Sequence, residues 1–438
     1  MGEKIIQNEL LKNLVSKQDL YKAAKNIKLS NEDTQRFIES IFSNYFLDND
    51  NINFLVKNGY NFFTFKDQEL CFCLNGEKFL ACCKKHLIET KNSSYTPFIK
   101  AIIANDKYED YLKFSSQLFE NKYKKMSETE KCNFVNCEQK AVENSLYDFN
   151  ELDHKNYLTS NKRNVFDNNY KMGESFFKEV EPNQFKYFGF CQEHMNQIAD
   201  IKITKNSSDE EILLFNFPTI VNKLFISRVQ LEALKEEFRN YFNSIEEDGV
   251  KTMFIYNLKK VSNHVSSLLD TYSFFVKTLK GQYNNFGIVK FSLPKTNNFT
   301  IKDVFQPQIT PDDFKVVNSI NNFFISENFA TIVMFSDKAN SFVTMVYDKS
   351  KENLNSFFEQ YLKIIHLKSK NEAAFISNCS LILADNILFQ KQWFDKLDEQ
   401  EKLLYSALNK FRFQHPNMGQ EYLKMKFFAG FNKGNNFF

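Results

Sequence analysis

Apolar positions in the first 130 residues recur mainly at helical spacing. Ile5, Ile6, Leu10, Leu11 and Leu14 follow that period, and Ser30 with Asp33 makes a capping box ahead of TQRFIESIFSNYF. Residues 95–105 and 107–125 read as further helices. One β-like interruption stands out, FFTFKDQELCFCLNGEKFLACC, in which Asn75-Gly76 separates two apolar-rich runs. That dipeptide tolerates the positive φ angles of a tight turn, so a hairpin is expected here.

Between Tyr147 and Lys171 the chain turns polar and Asn-rich with no clear period, which predicts an exposed excursion. Helical spacing returns at Asp209, is expected to break at Pro218, and resumes through RVQLEALKEEFRNYF. Another helix is expected over 251–280, ending at Gly281. GIVKFSL, ATIVMF and SFVTMVY read as strands, the last two joined as a hairpin through SDKAN. Thr310-Pro311-Asp312-Asp313 has the composition of a helix start, with a hydroxyl cap, proline in the first turn and carboxylates at the positive end. NLNSFFEQYLKIIHL and residues 393–411 continue the helical pattern. The pattern as a whole predicts an α+β protein. We divide it into a mainly helical region over 1–126 with one hairpin, a zinc-binding module over 127–205, and an α+β domain over 206–438.

Composition narrows the classes. The chain has 438 residues with a formal net charge of +2, which argues against a uniformly basic nucleic-acid binder. Its 50 phenylalanines are the outlier, and core packing accounts for them more readily than an aromatic surface. No secretory leader is visible and Ile6 breaks the myristoylation pattern. No apolar stretch approaches the roughly 18 residues expected of a membrane span. Eight cysteines without an export signal then read as reduced thiols in a cytoplasmic protein, available to metal. Neither GxxxxGK[ST], GxGxxG nor Gly-x-Ser-x-Gly occurs, which argues against a nucleotide-driven motor or an α/β-hydrolase.

Cys132 and Cys137 in KCNFVNCEQKAV, with Cys191 and His194 in FGFCQEHM, form two short-range pairs. Three thiols and an imidazole suit one structural Zn²⁺, whose closed tetrahedral site leaves no position for catalysis. Cys71, Cys73, Cys82, Cys83 and His86 make a second cluster, with Cys83-x₂-His86 as one arm of a conceivable site. Here the CFC and ACC text favours core packing over a second metal.

Around the first set the chain resembles an uncharacterised family of bacterial proteins. That family shares a Cys pair followed by Ala-x-x-Ser-His, a Gly-Phe-Cys-x₂-His-Asp element, and a later Ile-Ser-Asn block. The matching stretches are CNFVNCEQKAVENSL, YFGFCQEHM and FISNCSLILADN at 375–386. The resemblance implies the same four ligands. Two departures matter, because Leu146 stands where the family has histidine after serine, and Met195 where it has aspartate. The family pattern is also similar to the opening of an HNH nuclease, in which a histidine activates water. His154 is the one weak substitute for that base, and a lone histidine in a polar loop is more often idle.

Two stretches offer basic surface. Lys122, Lys124, Lys125 and Lys131 lie beside the first Cys pair. The tail from Glu401 to Phe438 carries six Lys or Arg (402, 410, 412, 424, 426, 433) against Glu401 and Glu421, with aromatic residues interleaved. Lysines that neutralise phosphates beside rings that stack on bases make a single-strand platform; a terminal helix packing its rings inward is the commoner origin of such text. We therefore expect a zinc-stabilised protein that binds nucleic acid or a protein partner, in bacterial antiviral defence. An HNH-like metal-dependent nuclease and a structural subunit of a larger complex are the alternatives.

Overall fold

The computed structural model describes residues 65–87, 108–149, 152–160, 177–204, 206–244, 248–294, 299–307, most of 310–318, 326–336, 340–367 and 384–396. The expected helices before residue 65 and over 95–105, the basic-aromatic tail and the Ile-Ser-Asn triplet lie outside them. Along the chain run α1 (Tyr108–Thr129), β1 (Glu143–Ser145), β2 (Tyr157–Ser160), β3 (Phe177–Glu179), β4 (Lys186–Phe188) and α2 (Gln192–Ala199). Then follow α3 (Asp209–Tyr241), α4 (Asp248–Leu279), β5 (Phe286–Pro294), β6 (Phe299–Phe305), β7 (Ala330–Ser336), β8 (Asn340–Asp348), α5 (Glu352–Leu367) and β9 (Ile387–Gln390). The fold is α+β with antiparallel sheets, as the pattern predicts.

The chain divides into two compact units. One comprises Met1–Tyr123, Arg228–Ser266 and Ser319–Ser326; the other comprises Lys124–Ser227, Ser267–Asn318 and Glu327–Phe438. In the first unit, residues 65–87 form a knuckle in place of the expected hairpin. Its ladder is a single bridge, Leu70 opposite Lys78, and the run after it winds into two short 3₁₀ turns, Phe79–Ala81 and Cys83–His86. The positive φ angles fall on Leu74 (62°) and Gly76 (82°), so the turn is displaced from the two-residue Asn-Gly geometry. Asn75 Oδ1 accepts the Glu77 amide at 3.0 Å, an Asx turn that closes the tip. Phe65, Phe72 and Phe79 then pack around Phe238, with ring centroids 5.0–6.5 Å apart.

The second unit is built on a seven-stranded sheet in the order β3-β2-β9-β6-β7-β8-β5, antiparallel throughout. The expected β7–β8 hairpin forms, pairing from Ala330 opposite Tyr347 to Ser336 opposite Ser341. One face packs Ile301, Ile332, Met334, Val343 and Met345 into a core shared with Leu354, Phe357 and Phe358 of α5 and with Trp393. Elsewhere on the sheet α3 is keyed by hydrogen bonds. Asn216 Nδ2 donates to Thr344 Oγ1 at 2.9 Å, and Thr331 Oγ1 donates to Asn216 Oδ1 at 3.0 Å.

Four expectations need correction. First, α3 runs without a break from Asp209 to Tyr241 with Pro218 inside it. Burial of Phe217, Ile220 and Val221 outweighs the one ladder bond that proline removes. Ser208 and Glu211 start this helix with a reciprocal capping box. Second, the polar middle stretch is not all excursion, since Tyr147 is buried and β2 is a strand inside the large sheet. Third, Thr310 closes a turn in place of a helix start: its hydroxyl donates to Asp313 and accepts the Lys315 amide. Fourth, α3 is long and apolar enough to cross a membrane by composition, although 78% of its most apolar window is buried inside the protein. The end of α4 fits the sequence closely. Gly281 (φ 67°) donates to Thr278 O, and Gln282 donates to Lys277 O, a Schellman closure.

Candidate metal centres

The first centre lies in the second unit, where two arms of chain are knitted together. On one arm the Cys132 amide donates to Gln139 O at 2.8 Å and the Cys137 amide to Phe134 O at 3.1 Å, with Asn136 in the left-handed region. The other arm leaves β4, passes Gly189 and enters α2, with Cys191 as its N-cap residue. Asn133 ties the arms by donating its backbone amide (2.7 Å) and its Nδ2 (2.9 Å) to Gly189 O. Asn144 of β1 accepts the Gly189 and Phe190 amides on its side-chain oxygen. A Cβ on residue 189 would stand 2.5 Å from Val221 Cγ1 and 2.7 Å from the Tyr187 ring. Close approach of backbone to α3 is therefore the reason for glycine in YFGFC.

This knitting brings Cys132, Cys137, Cys191 and His194 together, their ligand atoms all within 4.8 Å of one another. His194 Nδ1 is 3.1 Å from Cys191 Sγ and 3.5 Å from Cys132 Sγ; the Cys137 and Cys191 sulfurs are 4.0 Å apart. A tetrahedral zinc site has edges of about 3.8 Å between sulfurs and about 3.6 Å between sulfur and nitrogen, given its usual bond lengths. The observed separations lie within about 0.5 Å of those edges, and 4.0 Å is about twice a covalent S–S bond. The four residues could hold a metal ion. The Phe134 ring stacks on the His194 imidazole at 4.0 Å and fixes its plane. Burial pushes the Cys132 thiol up to about 11. At Cys191 burial also opposes ionisation, but the His194 amide, hydrogen bonds from the Cys132 and Cys137 thiols and the Glu193 amide together outweigh it, and the thiol lies below its ordinary value.

The second group lies in the knuckle of the first unit. Cys71, Cys73, Cys82 and Cys83 also hold their sulfurs within 4.8 Å of one another and could hold a metal ion. Where the sequence favours core packing, the fold gathers four thiols. His86 is exposed and is not one of the gathered residues, so Cys83-x₂-His86 is not the arm that forms. The adjacent pair Cys82-Cys83 forms it instead, because Cys82 breaks the 3₁₀ winding with φ −112°, ψ −108°. The Cys71 thiol, taking a hydrogen bond from Cys83, falls to about 5. Cys83 rises in turn, through that same bond and burial, and burial raises Cys73 to about 11. One proton leaves easily; a second, third and fourth thiolate in so small a space need a cation.

The other predicted residues are placed as follows. His154 begins a 3₁₀ turn ahead of β2 and stacks edge-on to Phe149; it belongs to neither group. Leu146, the position of the family's histidine, is buried against Tyr147 and Phe185. Lys122 pairs with Glu236 and Lys131 with Glu138, while Lys124 and Lys125 are exposed on α1. Sequence reasoning missed Asn75, whose Nδ2 donates to Cys82 Sγ at 3.0 Å, and Arg239, whose Nη2 lies 3.8 Å from Cys83 Sγ. It also missed a buried triad in the second unit. Lys223 Nζ is 3.0 Å from Asp385 Oδ2 and 3.4 Å from Asp303 Oδ1, and all three side chains are nearly inaccessible. The one signal was Asp385-Asn386, the last two residues of the block FISNCSLILADN. No family model, no curated protein and no solved structure matches this chain.

Proposed function

We propose that this protein is a zinc-stapled, non-catalytic component that binds nucleic acid or a protein partner. The observation that carries the reading is the closed Cys132–Cys137–Cys191–His194 set, which offers a tetrahedral ion four protein ligands and reserves no position for water or substrate. Zinc suits the donors, since three thiolates and an imidazole favour a borderline-soft ion that prefers tetrahedral coordination. Its free energy of binding would hold the two arms together, and with them β1, β4 and α2.

The setting in bacterial antiviral defence comes from the resemblance of the ligand stretches alone. Against the HNH nuclease reading stands the aliphatic Leu146 packed where that family carries its base. Of the four lysines near Cys132 in the sequence, Lys122 and Lys131 are ion-paired, and the exposed Lys124 and Lys125 are left to meet a phosphate backbone.

Two measurements on the full chain, purified without chelator or affinity metal, test the reading. His194→Ala and Cys191→Ser should each release one zinc per chain; unchanged zinc content in both would overturn the staple. A titration with single-stranded DNA and RNA should show affinity that falls with salt and on Lys124→Ala/Lys125→Ala. Absence of binding at low salt removes the nucleic-acid half and leaves the protein partner. Cleavage of DNA in Mg²⁺ or Mn²⁺ that tracks this chain through purification would overturn the non-catalytic reading.

A further inference from the structure

We infer that Cys71, Cys73, Cys82 and Cys83 form a second, independent zinc site that fixes the knuckle of the first unit. Three observations point to a ligand and away from thiols acting as small hydrophobes. The first is convergence: four sulfurs from the two arms of one knuckle lie within 4.8 Å of one another, with Cys73 and Cys82 at 3.4 Å. These spacings fit the roughly 3.8 Å edge of a tetrathiolate zinc site and no covalent S–S bond.

The second is the polar shell. Asn75 turns Nδ2 onto Cys82 Sγ at 3.0 Å and Arg239 presents Nη2 to Cys83 Sγ at 3.8 Å. A core thiol needs neither donor. Four thiolates around Zn²⁺ carry net charge −2, and a guanidinium with an amide donor is what such a charge requires around it. The third is the backbone. The break at Cys82 is what aims two adjacent side chains at one point, an arrangement that regular 3₁₀ winding would not give.

The role follows from what lies between the ligands. Phe72 stands between Cys71 and Cys73, and Phe79 precedes Cys82 by three; both pack on Phe238. Ser262 Oγ donates to Phe72 O at 2.7 Å. A metal at the four sulfurs would lock the segment whose rings complete this core.

The inference uses none of the residues of the first centre, so the two can fail separately. Elemental analysis of the full chain should give two zinc per chain, falling to one in Cys73→Ser and to one, by loss of the other ion, in His194→Ala. If Cys73→Ser does not fold, alkylation of the wild-type protein mapped by mass spectrometry decides. Cys73, Cys82 and Cys83 should be protected until a strong chelator is added, and then react together. One zinc per chain that disappears in His194→Ala, or alkylation of these cysteines at the same rate with and without chelator, overturns the site. So does protection relieved by a reductant and not by chelator, which would mean a disulfide.

Discussion

Replacing Lys223 with methionine isolates the cost of the buried charge triad. The ammonium is 3.0 Å from one carboxylate and 3.4 Å from the other, with all three groups almost wholly excluded from water. At an effective dielectric constant of 20 each attraction is about 5 kcal/mol gross, and desolvation of the three charges offsets much of it. Deleting the lysine forfeits the attraction but leaves both carboxylates buried, so destabilisation of about 3–5 kcal/mol is expected. Asp385→Asn is the control, because it leaves a neutral Lys223–Asp303 pair. Asp303 keeps its backbone donors, the amides of Asp385 and Asn386. That change should cost about 1–3 kcal/mol, the range for weakening a hydrogen bond to a charged group. Urea titration followed by Trp393 fluorescence reads this unit selectively, since it is the single tryptophan of the chain and is buried beside β9. With a slope of about 2 kcal/mol/M, Lys223→Met should lower the midpoint by about 1.5–2.5 M. If Asp385→Asn costs as much as Lys223→Met, or more, the reasoning from uncompensated charge is wrong.

Gly189→Ala must move Val221 or Tyr187 and should cost about 1–3 kcal/mol while loosening the first centre, read as lower thermal stability and faster zinc release to chelator. Leu74→Gly should stabilise the first unit by about 0.5–1 kcal/mol because it relieves a left-handed residue; Leu74→Val should destabilise it, and the reverse order in urea would refute the assignment. Phe72→Ala should cost about 3–5 kcal/mol and speed hydrogen exchange in 69–86, whereas an unchanged exchange pattern would deny the Phe238 core its role. Burial raises Tyr147 and Tyr187 far above their ordinary range, and Tyr347 to about 12 through burial and then Glu359. A raised folded value means stability is intact below about pH 10, where unfolded tyrosine is still neutral, and is lost as pH rises through 10 to 12 and beyond. Each such tyrosine contributes a fall of about 1.4 kcal/mol per pH unit in that window. A melting temperature flat from pH 9.5 to 11.5 would contradict this.

The sequence by itself determined the elements whose signals are local. The apolar and β-branched runs ATIVMF and SFVTMVY specified β7 and β8 as strands of one hairpin, because such residues suit a sheet buried on both faces. Gly281 specified the end of α4, because its φ of 67° suits glycine. The gathering of Cys132, Cys137, Cys191 and His194 into a group that could hold a metal ion was legible from residue type and spacing.

Tertiary structure decided whatever depended on partners far along the chain. Pro218 reads locally as a break, yet burial of the residues around it keeps α3 whole. Tyr147 reads as loop, yet its hydroxyl donates to Asn386 O, 239 residues away, inside the core. The text CFC and ACC reads as core, and only the fold shows four thiols meeting beside Asn75 and Arg239. Lys223 and Asp303 carry no local signal and Asp385 only its place in the block FISNCSLILADN, because the affinity of a buried lysine for two carboxylates exists only after three distant segments have closed around it.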